Sequence, residues 1–543
     1  MSKAQKNFLS GALILTIANA LAKIIGAIYK IPLNNMLGTV GTNYYNDGYQ
    51  IYALLFVFST AGIPVAIAKM VSESVATGRT NEPKRIFKNS LLVFGIVGLV
   101  LSILLILFVE PISSMLLSGD TVNYCIAMIA PAIFFVAVSS VIKGYFQGYK
   151  DMRPSAYFQV IEAGFKLVGL VIVILMIYRW NITDPVYLAC GGILGVTFGS
   201  FAASLFMLMR FLREKDFGKY DPDGLPDNSN ASIVKTIITL AIPISLSSAV
   251  MSVTSTLDMI FVKFSLQRYG LANGMLAQDA VEMAKDVYGA YIGSTSSLFN
   301  LPPTITITVG IAVLPFLTSA FVVGKMKEAH RNMRSAAKVV SLIAMPCALG
   351  MSVMSEGIIK LLFKSDFHNV GIPCLRLLAI SIFFVSFVSL TSTFLQSVGK
   401  VNISLITMGI GAVMKLVINL IMVEKIGIMG APMGTFACYG SIFLLNCLFI
   451  KKYMKFAMPL GTILVRPFIC TALCCLVAWG SWKGLVLLLG YSRLWILVSL
   501  MLAVAVYAVA VLAFKVLSKE DMILLPKGEK IGAFLKRKGW LHE

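Results

Sequence analysis

KGYFQGYKDMRPSAYFQVIEAGFKLVGL, residues 143–170, has a second copy at 392–419, STFLQSVGKVNISLITMGIGAVMKLVIN. Gln147 and Lys166 return as Gln396 and Lys415, each 249 residues later. Outside this stretch the echo continues at a slightly shorter offset. Tyr49, Tyr52 and Pro64 return as Tyr288, Tyr291 and Pro303, each 239 residues later. LGVTFGS at 194–200 matches MGTFACYG at 433–440. The chain is built from one unit used twice.

Composition fixes the solvent of that unit. Of 543 residues, 58% are apolar and 13% charged, about half the charged share of a soluble protein. A water-soluble chain of this length has nowhere to hide that much apolar surface. Disorder, a disulfide-stapled secreted domain and a coiled coil are excluded by the same figures. A helix needs about 20 mainly apolar residues to cross a bilayer, and fourteen stretches qualify. They lie near 8–31, 49–71, 86–109, 121–143, 157–178, 186–209, 236–264, 287–321, 336–361, 373–398, 402–423, 428–450, 463–489 and 494–516. Lys3 and Lys6 precede the first stretch, which is too long for a signal-peptide core and is interrupted by Lys23, so it reads as a retained span.

Each repeat unit holds six of these stretches. Six is even, so both units enter the membrane the same way, related by a pseudo-twofold along the membrane normal. The expected fold is an all-α polytopic membrane protein of 14 transmembrane helices, with two pseudo-symmetric six-helix lobes and a C-terminal helix pair. The expected divisions are an N-terminal lobe at 1–215, a cytoplasmic linker at 216–235 and a C-terminal lobe at 236–455. Helices 13–14 then occupy 456–518, and a cytoplasmic tail 519–543. The linker contains DPDGLPDNSN, which is turn chemistry throughout. Two such lobes around a central cavity are the architecture of an alternating-access carrier, and a monomer suffices for it.

The formal net charge is +21. In a soluble protein that would suggest nucleic acid; here it measures the Lys and Arg bias of cytoplasmic loops. When basic residues at span ends are counted with the loop they adjoin, one side of the membrane collects 31 and the other 8. This places both termini in the cytoplasm, with the tail, which contains Lys536-Arg537-Lys538, able to rest on the anionic inner leaflet. No nucleic-acid partner is expected. The nine cysteines all fall in apolar runs without a CxxC pair, and read as small packing residues. Three scattered histidines provide no metal site, and no cofactor is expected.

Ionisable groups inside hydrocarbon are costly and mark function. The spans hold Lys23, Lys30, Lys69, Glu162, Lys166, Asp258, Lys263, Arg376 and Lys415, with Asp47 at the mouth of span 2. Lys69 and Arg376 sit near span ends, where a long side chain snorkels to water. Lys23 and Lys30 are seven apart, two helical turns, and so share a face. Basic groups outnumber acidic ones, which favours an anionic ligand. Glu162 and Lys166 stand in the favourable i, i+4 order and are expected to neutralise one another. Lys415 has Gly411 at the equivalent i−4 place, so a carboxylate must come from elsewhere. Asp258 is the expected partner, of Lys415 or of Lys263. Either pairing opens a route to proton or cation coupling. Proline interrupts several spans, most visibly at NLPPTITITVG, 300–310. No nucleophile–base set, acid pair or phosphate-binding GxxxxGK[ST] points to an enzyme.

AKIIGAIYKIP at 22–32, STAGIPVAIAK at 59–69 and FQGYKDMRPSA at 146–156 carry a resemblance across nearly the whole chain. It is to the stage V sporulation protein B, YtgP and MurJ-like flippases of the multidrug/oligosaccharidyl-lipid/polysaccharide (MOP) exporter superfamily. The resemblance implies fourteen helices, with the last pair forming a groove. It implies movement of an undecaprenyl-pyrophosphate-linked glycan, such as lipid II, to the outer leaflet for peptidoglycan or spore cortex. The partner would be that glycan lipid within the bacterial plasma membrane. The pyrophosphate would lie on span 1 basic residues, Lys23 and Lys30, with Asp47 as the acidic residue after span 1. Relatives place an arginine in span 8; here GSTSSLFNLPP at 293–303 has none, and Asn300 stands near a position where some carry glutamate. Some relatives bind sodium in the second lobe, where Lys415 stands here as a tethered cation. Membrane potential, protons and sodium are all open as the driving force. Rival readings are a flippase for another polyprenyl-linked polysaccharide unit and, with fewer carboxylates than it needs, a multidrug/cation antiporter.

Overall fold

The computed structural model describes residues 3–79, 81–116, 119, 122–213, 228–456, 458, 460–490, 492–514 and 516. The tail at 519–543 and most of the 216–235 linker lie outside the described residues, as do the side chains of Ser10 and Thr16. Among the described residues every regular element is helical. The chain forms two compact units. The first comprises Met1–Phe264 with Ala284–Gly289, and the second Ser265–Met283 with Ala290–Glu543.

The first unit opens with α1 (Lys3–Ala76), followed by α2 (Glu82–Leu107), the short α3 (Val109–Met115), α4 (Asn123–Gly148), α5 (Arg153–Trp180) and α6 (Pro185–Arg213). It takes in most of α7 (Asn230–Ala272) and the end of α8 (Ala277–Ala290). Within α1, Gly38 (φ 69°, ψ −175°) leaves the helical region and marks a kink. That backbone region is open to glycine alone. The apolar part of α1, Leu21–Ala76, is 56 residues long, more than two bilayer crossings need. The α5–α6 connection is fixed locally. Ile182 N–H bonds back to the Met176 carbonyl at 2.9 Å, and Asn181 takes the left-handed conformation, φ 53°, which ends a helix well. Asp184 then accepts from Val186 N–H at 2.8 Å, capping the first turn of α6.

Small residues let these helices close on one another. A Cβ on Gly195 of α6 would meet Gly169 and the Lys166 carbonyl of α5. Gly199 fits against the Glu162 carbonyl in the same way. Ile63, Ile67, Val71, Ile86, Phe146 and Phe158 form the apolar core that α1, α2, α4 and α5 share. The opposite face of α2, with Leu92, Ile96, Leu99, Ile103 and Leu107, is exposed, and hydrocarbon is the solvent that suits it.

In the second unit α8 passes through a π-helical turn, Tyr291–Ser296, and α9 (Ser297–Phe299) into α10 (Leu301–Val322). Then come α11 (Met326–Val353), α12 (Ser355–Leu362), α13 (His368–Leu378), α14 (Ser381–Ser397), α15 (Val401–Ile426) and α16 (Gly430–Met454). α17 (Leu460–Leu489) and α18 (Arg493–Ala513) close the order. Val313, Leu317, Met333, Val340, Phe387 and Phe394 are core. The repeat is written into the backbone here. Gly434 of α16 leaves no room for a Cβ against Asn419 and the Lys415 carbonyl of α15, as Gly195 does against the Lys166 carbonyl. α17 and α18 pack on each other around Ala478, Trp482, Ile496 and Ala503.

Nine helices among the described residues are long and apolar enough to cross a membrane, or ten if the α13–α14 pair, bent by 46°, is one span. Two of the nine, Leu21–Ala76 and Val401–Met454, run 56 and 54 residues. Each holds a positive-φ glycine, Gly38 about a third of the way along the first and Gly427 at the middle of the second. The chain is a multi-pass membrane protein.

Candidate functional site: charges inside the first unit

α1 carries Lys23 and Lys30 seven residues apart on one face. Lys23 is exposed and Lys30 half-buried. Among the described residues neither has an ion-pair partner. Asn19, one turn before Lys23, is exposed.

From Tyr29, beside Lys30, a line of phenols leads inward. Tyr29 and Tyr45 hydroxyls are 2.7 Å apart. The Tyr45 ring stacks on Tyr49, centroids 6.1 Å apart, and Tyr49 leads to Tyr52 at 5.9 Å. The Tyr52 hydroxyl donates to Glu162 Oε1 at 3.4 Å and lies 3.1 Å from Ser200 Oγ. Glu162 also receives Lys166 Nζ at 3.1 Å. The i, i+4 spacing on α5 brings these two charges together, and a buried carboxylate needs such partners. The phenols supply hydroxyls without adding charge, with hydrogen bonds at the two ends of the line and stacked or tilted rings between them.

Asp47 is fully buried and pairs with Lys263 of α7, which is 1% exposed. Nζ lies 2.5 and 2.6 Å from the two carboxylate oxygens. Asn43 Nδ2 donates to Asp47 at 3.2 Å, and Lys263 also reaches the Leu116 carbonyl at 3.5 Å. The Tyr288 ring lies 5.2 Å from the ammonium. Lys263 therefore spends its charge on Asp47. Sequence reasoning had offered it to Asp258, which is half-buried on the same helix. Around this pair α1 meets α7 and α8 closely. Thr39 Oγ1 donates to Asp286, and a Cβ on Gly289 would strike the Thr39 carbonyl.

Lys143, in α4, was not singled out by its sequence. It is 8% exposed, and its Nζ sits 3.2 Å from the centre of the Phe158 ring, a cation–π contact. It has no ion pair among the described residues. Hydropathy ended span 4 at this lysine, but α4 continues to Gly148 and carries Lys143 inside. The buried or half-buried charges of α1, α4, α5 and α7 in this unit are thus Lys30, Lys143, Lys166 and Lys263 against Asp47, Glu162 and Asp258. Among the described residues of these four helices, Lys30 and Lys143 are buried or half-buried without an ion pair.

In the second unit, Lys415 is half-buried on α15 and Asn300 exposed at the start of α10. Asn300 Nδ2 donates to the Ser296 carbonyl at 2.8 Å and its own carbonyl accepts from Thr304 at 3.0 Å, so it caps a helical break.

Comparison with known proteins decides the family. The family model described as polysaccharide biosynthesis protein matches residues 8–321, more than half of the chain. The chain belongs to this family. A MatE family model matches 287–421, and the two together place the chain in the MOP superfamily. Among characterised relatives, stage V sporulation protein B of Bacillus subtilis is 24% identical over 533 residues, covering 96% of this chain and 98% of its own. The lipid II flippase MurJ of Bacillus subtilis is 22% identical over 469 residues, 83% of each chain. Of solved structures, the inward closed conformation of lipid II flippase MurJ superposes with a TM-score of 0.70 at 15% identity. It covers 92% of this chain and 98% of that one, and shares the fold of this polysaccharide biosynthesis family member.

Proposed function

We propose that this chain is a flippase that carries a polyprenyl-diphosphate-linked glycan, of the lipid II class, from the inner to the outer leaflet. The observation that carries the reading is the α1 pair Lys23 and Lys30, two cations on one face of an apolar helix with no carboxylate partner among the described residues. A diphosphate supplies the missing charge. The polyprenyl tail needs no polar path and stays in lipid. Asn300, exposed at the start of α10, is a further polar group for the headgroup, whereas Asp47 is buried and held by Lys263. Relatives named for lipid II flipping and for sporulation support a cell-wall precursor as the substrate.

In this reading the chain crosses the membrane fourteen times with both termini cytoplasmic. Lobes at 1–215 and 236–455 alternate as a monomer, and the helix pair at 456–518 guides the tail. The resting potential, outside positive, favours outward movement of an anion by about 2.3 kcal/mol per charge per 100 mV. The buried pair Glu162–Lys166 and, separately, Asp258 of the first unit and Lys415 of the second are the places where a proton or sodium ion would couple instead. The MatE match favours a second reading, export of an organic cation, in which the lysines would have no use.

The test is outer-leaflet lipid II in cells depleted of their own flippase and expressing this chain, read by an external headgroup-cleaving enzyme. Restored cleavage that Lys23→Ala abolishes supports the proposal. No restoration by membrane-inserted wild type removes lipid II and leaves another polyprenyl-linked unit. Restored export of a cationic dye alone favours the second reading.

A further inference from the structure

Cys125 and Cys190 read as packing residues in a sequence without a CxxC motif, and 65 residues separate them. In the fold their sulfurs are 3.3 Å apart and both are buried. We propose that this pair is a reversible redox site, a disulfide that staples α4 to α6.

The placement favours it. Cys125 lies in the first turn of α4 (Asn123–Gly148) and Cys190 in the second turn of α6 (Pro185–Arg213). Helix ends open more readily than helix centres, so a small oxidant reaches thiols there that static burial hides. The sulfurs need to approach by little more than 1 Å to reach bonding distance, a shift that side-chain rotation supplies. The reaction balances with a disulfide as oxidant. One thiolate attacks the oxidant's sulfur and expels one thiolate. The second cysteine attacks the mixed disulfide and expels the other. Two S–H bonds are lost from the protein, one S–S bond forms in it, and two electrons reduce the oxidant's S–S bond to two thiols. The thiols meet whichever way the chain is inserted; orientation decides only which compartment supplies the oxidant.

The staple also has a neighbour. A Cβ on Gly48 would meet Ile193 and would stand 3.4 Å from the Cys125 Cβ, and Gly48 follows Asp47 directly. Oxidation therefore stiffens the wall against which the Asp47–Lys263 pair rests, and it closes a 65-residue loop in the unfolded chain. Both effects stabilise the first unit.

The experiment uses the purified full-length protein treated with 2,2′-dithiodipyridine, a small apolar disulfide. It is then unfolded and alkylated without reductant, and digested for mass spectrometry. The expected result is alkylation of seven of the nine cysteines, a peptide pair joining Cys125 to Cys190, and an unfolding temperature several degrees higher. Reductant returns that temperature to its starting value. Cys190→Ser and, as an independent variant, Cys125→Ala lose the oxidant-dependent shift while keeping the reduced protein's unfolding temperature within a few degrees. Alkylation of all nine cysteines after oxidation overturns the proposal, as does a joined peptide that lacks either residue.

Discussion

Asp47→Asn isolates the ion pair of the first unit. The substitution keeps the size of the side chain and removes its charge. It leaves an ammonium that is 1% exposed, formerly 2.5 and 2.6 Å from two carboxylate oxygens, facing an amide, the Leu116 carbonyl and a Tyr288 ring. Removing one partner of a buried pair costs about 3–5 kcal/mol, because the remaining charge has lost both water and counter-charge. For a unit of this size that is a fall in unfolding temperature on the order of 10 °C. Lys263→Met strands the carboxylate and costs a similar amount. The double variant Asp47→Asn/Lys263→Met leaves no buried charge and recovers part of the loss, the remainder being the cost of a buried amide. The assay is thermal unfolding of purified protein in one detergent, with the four members of the cycle compared. Losses of the two single variants that simply add in the double variant would refute the reasoning. So would an Asp47→Asn loss below about 1 kcal/mol, the scale of an exposed pair.

Other positions separate stability from transport. Lys143→Met removes a buried cation that has no carboxylate, so the unfolding temperature stays level or rises while glycolipid flipping falls; unchanged flipping would assign Lys143 to packing. If the proposed function holds, Lys23→Ala and Lys30→Ala each remove a charge-assisted contact to the diphosphate, about 1.5–3 kcal/mol. They lower apparent affinity for a soluble diphosphate competitor roughly tenfold to a hundredfold. Gly38→Val forces a branched side chain to φ 69° and ψ −175° and destabilises the chain by about 1–3 kcal/mol, read as a lower unfolding temperature. Gly434→Ala drives a methyl into Asn419 beside the Lys415 carbonyl and costs about 1–3 kcal/mol by overpacking.

Much of the fold was legible because it depends on local chemistry. The apolar share alone calls for a membrane, and the repeat that appears in sequence as Lys166 and Lys415 appears in space as two glycines closing on their carbonyls. Glu162 meets Lys166 because four residues are one helical turn. The Asp47–Lys263 pair spans 216 residues and no periodicity connects its members; Asp258, five residues from Lys263 on its own helix, was the nearer choice on paper. Cys125 and Cys190 were hidden for the same reason, since their meeting depends on how α4 packs on α6. Lys143 was lost differently. A hydropathy window ends where charge begins, so it places a lysine at a span's border even when the helix runs on and buries it. Windows also count two crossings where α1 shows one element with a kink, and one crossing where α13 and α14 form a bent pair, so apolar stretches and helices do not match one to one.

In the proposed function the cations of α1 carry a polyprenyl-linked diphosphate across the bilayer. This is tested most directly with purified protein in sealed vesicles containing a fluorescent lipid II, where an external quencher reads each leaflet. With an imposed potential, positive on the destination side, the account predicts protein-dependent transfer that slows when Lys23 and Lys30 are both replaced by alanine. It also predicts that transfer is competed by a soluble polyprenyl-free diphosphate glycan. Transfer that is indifferent to both lysines and to the competitor would contradict it.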